Sequence, residues 1–225
     1  DLHSFPTRRS SDLRTYIKPA DIEKQSFRII SEELAGAGKI LDPRYEMIIK
    51  RCIHTSADFD YAGSMYFTDG VTERIAEAMG DGLTIVTDTQ MARSGINKRI
   101  IEKHGGSVHC FIADQDVAAE AKARAVTRSY VSMERAAEIE GRVLFAIGNA
   151  PTALVSICSL YKEGRIDPVG VIGAPVGFVN VVESKEMLIA SGIPCIVARG
   201  RKGGSNIAAA IVNAIQYEFE PREGI

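Results

Sequence analysis

From residue 83 onward, apolar runs of strand length alternate with stretches of helical period. The runs are LTIVTD (83–88), SVHCFIAD (107–114), RVLFAIGNAP (142–151), VGVIGAPVGF (169–178) and CIVARGRKGG (195–204). Most are apolar nearly throughout, as strands covered on both faces by helices are. Five such strands separated by helices predict an α/β fold, an open, parallel, Rossmann-like sheet with helices on each side. Upstream, helical spacing predicts helices over 20–35, 43–54 and 68–79. Pro19 stands near the first start, DPR opens the second and TDG the third, so a cap or a preset φ is expected at each.

The chain has 225 residues, 45% of them hydrophobic, enough for one sizeable core. A net charge of −2 provides no basic field, so nucleic acid is not an expected partner. Cys52, Cys110, Cys158 and Cys195 are far apart and form no C-x-x-C pair. They read as buried thiols of a reducing compartment, which predicts a cytoplasmic protein. No apolar run approaches the roughly twenty residues needed to cross a bilayer and no secretory signal is read at the N-terminus, so no membrane is expected. The first thirteen residues, DLHSFPTRRSSDL, break from the composition that follows. FPTRRSSDL resembles the translation of a sequencing-adapter oligonucleotide, so residues 1–13 are set aside as a non-native segment and 14–225 are read as one domain. Asp1 and Asp12 offset Arg8 and Arg9, so the charge balance is unaffected.

In an open α/β sheet, ligands bind beyond the carboxyl ends of the strands, near the reversal of strand order. The predicted loops there are Thr87-Asp88-Thr89, Asp114, residues 148–152 (GNAPT), 173–178 (GAPVGF) and 199–205 (RGRKGGS). Three are rich in glycine, and two lead directly into a helix, where backbone N–H groups gather at a positive dipole end. Taken singly, each reads equally well as an ordinary turn that needs glycine. Together they favour a large, polyanionic ligand. Arg199, Arg201 and Lys202 strengthen that expectation, since a guanidinium grips a carboxylate in bidentate fashion. Neither a Walker A nor a G-x-G-x-x-G pattern is present, which argues against a nucleotide-dependent oxidoreductase.

His54, in RCIHTSADFDY, ends an apolar run and is followed by small polar and acidic residues. A packed core residue, a metal ligand and a proton donor are the three readings. No second His or Cys stands at ligand spacing, His104 reads as exposed and His109 as packed in the sheet, so no metal site is expected.

The strings SFRIISEE, IIKRCIHTSADFD, TDTQMARSGINKR, TRSY, GNAPTAL, GAPVGFVNVVESKE and ARGRKGGSNIAAAIVNA occur in that order. From about residue 16 onward the chain resembles the precorrin-8X methylmutase family of cobalamin biosynthesis. The resemblance implies migration of a methyl group from C11 to C12 of a corrinoid tetrapyrrole with no cofactor. It also implies a homodimer and a three-layer α/β/α fold with a five-stranded parallel sheet. It places the family's proton donor on His54 and substrate contacts on Ser26, Arg128 and Ser129. Further contacts fall on Thr87, Asn149, Val176, Gly177, Phe178, Lys185, Arg199, Arg201, Gly203, Gly204 and Ser205. IHTSADFD and TDTQMARSGINKR lean to the branch whose substrate carries cobalt; a metal-free substrate and a non-catalytic corrinoid carrier are the alternatives. Two departures stand out: Cys52 beside the histidine, and Asn180-Val181-Val182 where the family has smaller Gly-Ala-Ala.

A single histidine suffices for such chemistry. Methyl migration around a conjugated ring is easier once the π system is protonated, so an acid and a rigid hold are what the reaction needs. Imidazole, which titrates near neutrality, suits the first task. YEMIIKRCIH ends at His54, where a helix C-terminus favours its charged form, and Asp58 and Asp60 are expected to reinforce that.

Overall fold

The computed structural model describes residues 19–221. The adapter-like segment 1–13 lies outside the described residues.

The chain begins with α1 (Pro19–Gly36), α2 (Glu46–Ser56) and the short α3 (Tyr61–Ser64), then enters β1 (Met65–Phe67) and α4 (Val71–Met79). DPR forms the turn before α2, and TDG ends on Gly70, the N-cap residue of α4, which offers no side chain to cap with. The Asp42 carboxylate accepts from Arg44 N–H, α2 starts at Tyr45 without a side-chain cap, and α4 starts after Gly70 at φ 71°. There follow β2 (Thr84–Thr87), α5 (Gln90–Gly95), α6 (Lys98–Lys103), β3 (Ser107–His109), α7 (Gln115–Arg124) and α8 (Arg128–Ala136). The last third alternates: β4 (Val143–Ile147), α9 (Pro151–Lys162), β5 (Gly170–Gly173), α10 (Val181–Ala190), β6 (Cys195–Ala198) and α11 (Ser205–Phe219).

The sheet has six strands in the order β1-β6-β5-β4-β2-β3, and it is mixed. Each of the five predicted runs contains one of the parallel strands, but β1 pairs antiparallel with β6, Met65 opposite Ala198 and Phe67 opposite Ile196. The expectation of a purely parallel five-stranded sheet is corrected by this edge strand. MYF is too short to show a period of two, and what makes it a strand is its partner more than a hundred residues away. Thr68 prolongs the seam, its N–H donating to Cys195 O at 2.9 Å and its hydroxyl accepting from Cys195 N–H at 3.0 Å.

Alternation along the strands divides their side chains between two cores. Ile85, Leu144, Ile172 and Ile196 face the layer of α1, α2, α4 and α11, where Ile48, Ile75, Ile207 and Ile211 are wholly buried. Val86, Phe145, Val171 and Val197 face α8, α9 and α10, against Met133, Leu154, Ile157 and Leu188. Each such aliphatic side chain contributes about 1.5–3 kcal/mol on leaving water. All five residues of β4 are buried because helices cover both faces. The four cysteines are buried and unpaired, and no described helix is long and apolar enough to cross a membrane. Strand order reverses between β2 and β4, since the chain passes from β2 to β3 on one side and then crosses back to β4 on the other. That is the switch point at which such sheets hold ligands.

Candidate active site

At the switch point stands a carboxylate of the chain's own. Asp88, directly after β2, is 1% exposed. It accepts hydrogen bonds from Gly148 N–H (2.8 Å), Asn149 N–H (2.8 Å) and Ala150 N–H (2.7 Å). Ala150 is the N-cap of α9, with Pro151 in its first turn, so the N–H groups of the N-cap and of the two loop residues before it converge on Asp88. Burial pushes the Asp88 carboxyl above its ordinary value, and the three donors pull it back. The GNAPT loop therefore turns its amides inward, not toward a ligand, while the Asn149 side chain remains exposed.

The neighbours of Asp88 join this loop to the rest of the edge. Thr87 is buried, and its hydroxyl lies against Thr89 O (3.0 Å) and His109 O (3.2 Å). The Thr89 hydroxyl caps α5 by accepting from Ala92 N–H and lies 2.7 Å from the Ser205 hydroxyl at the start of α11. Gly148 is required by close approach, since a Cβ there would stand 2.5 Å from Ser205 Cα. Thr127, the N-cap of α8, pairs its hydroxyl with that of Thr152 at 2.7 Å, which places exposed Arg128 and buried Ser129 next to the start of α9.

The loop after β6 is held from beneath by Lys185. Its side chain is wholly buried, and Nζ donates to Gly200 O and Lys202 O at 2.8 Å each. Desolvation lowers the Lys185 pKa to about 8. Of the three cations on the loop, Arg199 forms a two-pronged pair with Glu186 (2.9 and 2.7 Å), and Lys202 lies 2.6 Å from both Asp58 and Asp60. Arg201, exposed, lies over the Phe178 ring at 5.5 Å. The same loop is laced to that after β5: Gly177 N–H donates to Arg201 O (3.2 Å) and Gly204 N–H to Ala174 O (2.8 Å). Gly203 has no room for a side chain, as a Cβ would stand 2.2 Å from Ala174 O. Val176, Phe178 and Val179 project from this pair of loops, with Phe178 81% exposed. Asn180, where the sequence resemblance led us to expect glycine, adopts φ 57°, which asparagine tolerates and glycine adopts without strain.

His54 occupies the exposed last turn of α2, where Ala57 ends the helix at φ 56°. Its ring lies 5.4 Å from that of Phe27 on α1. Asp58 and Asp60, expected to support the histidine, are instead bound to Lys202, which holds the Asp58 carboxyl below its ordinary value. That ion pair ties the end of α2 to the loop after β6. Ser26, one residue before Phe27, donates its hydroxyl to Ile22 O at 2.9 Å. Between α1 and α2 lies an open cleft of about 400 Å³, lined by Phe27, Met47, Lys24, Arg28, Lys50 and Arg51, among others. These four cations were not singled out in the sequence; the four-residue step from Lys24 to Arg28 on one helix face was the available signal. Arg51 is paired with Glu23 at 2.8 Å and stacks over Phe27 and Tyr217.

Along the edge lie Thr87, Arg128, Ser129, Asn149, residues 176–178, Lys185, Arg199, Arg201 and residues 203–205, and Lys202 of the same edge pairs with Asp58 and Asp60, four and six residues beyond His54 in the chain. Ser26 lies apart from this edge, on α1, one residue before the Phe27 whose ring meets that of His54. Among the described residues no group of three or more His, Cys, Asp or Glu side chains is arranged to hold a metal ion. His104 pairs with Glu220 at 2.9 Å, and His109, expected within the sheet, is exposed on the edge strand β3 beside Ser107.

The family model described as precorrin-8X methylmutase matches residues 21–218. The cobalt-precorrin-8 methylmutase of Salmonella typhimurium is 45% identical over 90% of this chain and 96% of its own length. That of Priestia megaterium is also 45% identical, over 88% of each chain. Among solved structures, the precorrin-8X methyl mutase of Thermus thermophilus superposes with a TM-score of 0.78 at 33% identity, covering 88% of this chain and 96% of that one.

Proposed function

The chain belongs to the precorrin-8X methylmutase family, and from that premise we propose that it is an isomerase which moves a methyl group from C11 to C12 of precorrin-8 in cobalamin biosynthesis. The C11–CH3 bond breaks as the C12–CH3 bond forms within one molecule, so no electron acceptor is consumed. His54 lends a proton to the conjugated ring and recovers it once the methyl has moved. The observation that carries this assignment is the exposed imidazole in the last turn of α2, next to an aromatic ring and a cleft rich in cations. The fixed loops along the carboxyl edge supply grip, through Arg128, Ser129, Asn149, Arg201 and Ser205. A methyl shift hardly changes the outline or charge of the ligand, so product binds about as well as substrate, and catalysis depends on what is felt only in the protonated, migrating state.

The natural substrate carries cobalt in this proposal, supported by the names of the relatives at 45% identity. The protein works as a homodimer in the cytoplasm; exposed Phe178 and Val179 support the first statement and four unpaired, buried cysteines the second. The test is anaerobic conversion by the purified protein of cobalt-precorrin-8 and, separately, of metal-free precorrin-8X, followed by the colour of the product. Faster conversion of the cobalt form is expected, and the reverse preference overturns the cobalt assignment. Tight product binding without turnover of either makes the protein a corrinoid carrier. His54→Ala is expected to keep product binding and to lose about two to four orders of magnitude in single-turnover rate, the usual worth of a general acid. Near-normal turnover removes His54 from the mechanism.

A further inference from the structure

We propose that Asp88 is a positioning residue of this site: its carboxylate acts as a built-in anion at the switch point and, through the loops it organises, sets the places of Asn149, Arg128, Ser129 and Ser205. The inference rests on the reading of those four residues as substrate contacts and goes beyond it, because Asp88 itself is too deeply buried to meet a ligand.

The geometry runs outward from one carboxylate in two directions. Its three acceptor contacts fix residues 148–150, the last of which caps α9. The first turn of α9 carries Thr152, whose hydroxyl meets that of Thr127 at 2.7 Å, and Thr127 starts the helix that presents Arg128 and Ser129. In the other direction, the residue after Asp88 is Thr89, 2.7 Å from the Ser205 hydroxyl, and Gly148 lies directly against the Ser205 backbone. Three converging N–H groups at a helix start make a strong anion site. Related sheets leave such a place open for a ligand's phosphate. Here the chain fills it with its own carboxylate, which turns a binding site into a strut.

Such a strut is replaceable. In Asp88→Ala, three N–H groups face a cavity the size of a carboxylate, a place suited to formate. Product titration and melting of the full-length variant, with formate or with chloride at matched ionic strength, give the test. Without formate, product affinity is expected to fall about tenfold or more, because the loops that carry the contacts lose hydrogen bonds to a charged group, which are stronger than those to a neutral one. Formate is expected to raise the melting temperature of Asp88→Ala and restore most of its affinity, with no change in wild type. Affinity within twofold of wild type in the absence of formate overturns the proposal. So does a formate-dependent rise in melting temperature that leaves affinity low, since Asp88 then serves the fold alone. If Asp88→Ala does not fold, Asp88→Asn keeps the shape but turns an N–H toward the donors, and unchanged affinity in that variant is equally fatal. Failure of the methylmutase reading itself is distinguishable: wild type would then neither bind nor convert a precorrin-8, whereas formate-dependent melting of Asp88→Ala involves no tetrapyrrole.

Discussion

Lys185 meets the loop after β6 from below as Asp88 meets the loop after β4, and these are the two charged side chains buried among the described residues. The lysine costs more to bury, having only two carbonyl oxygens to replace its hydration. Its pKa falls from 10.5 to about 8 on folding, so between those values the unfolded chain binds the extra proton. Stability contributed at Lys185 must therefore rise as pH climbs from 8 to 10.5, because the slope has the sign of protons bound unfolded minus protons bound folded. Lys185→Met removes the titration and leaves Gly200 O and Lys202 O without a donor. The stability gap between wild type and this variant, from urea unfolding, is expected to widen in favour of wild type by on the order of 1 kcal/mol or more across that window. A pH-independent gap means that the ammonium is better solvated than its surroundings imply.

At the scale of elements, the loop after β6 presents its cations unequally. Arg199 is committed to Glu186 and Lys202 to Asp58 and Asp60, whereas Arg201 lies over an exposed aromatic ring. Arg201→Gln is accordingly expected to weaken product binding and flatten its salt dependence, and Arg199→Gln to do so several-fold less, as a pair already formed has little left to give. Equal effects, measured by titration at two salt concentrations, show that Glu186 releases its partner when ligand arrives. Sequence alone revealed these loops, since glycine and charge at the ends of apolar runs are local signals. It did not reveal their partners. Glu186 is thirteen residues from Arg199, and Asp60 is 142 from Lys202, distances that no helical or strand period spans. The same limit hid β1, whose three residues become a strand only against β6, and it left Lys185 among the expected substrate contacts although the fold turns it inward. The helices α1, α2 and α4, by contrast, follow from periodicity over two turns or more.

The whole molecule leaves two large side chains, Phe178 and Val179, about four-fifths in water next to the candidate site, 81% and 78% exposed. In a dimer they would be covered, so sedimentation at micromolar concentration is expected to give twice the 24.4 kDa of one chain. A single-chain mass at that concentration refutes the dimer. The sheet itself ends on both sides in three-residue strands, β1 and β3, while the fully apolar β4 lies in the interior with neighbours on each side. Fibril-forming segments need about six or seven residues of open, apolar edge, and neither margin offers half a dozen. The stickiest backbone in the chain is therefore kept from strangers for as long as the centre of the sheet stays closed, so crowding or mild warming that frays only the margins should not seed amyloid.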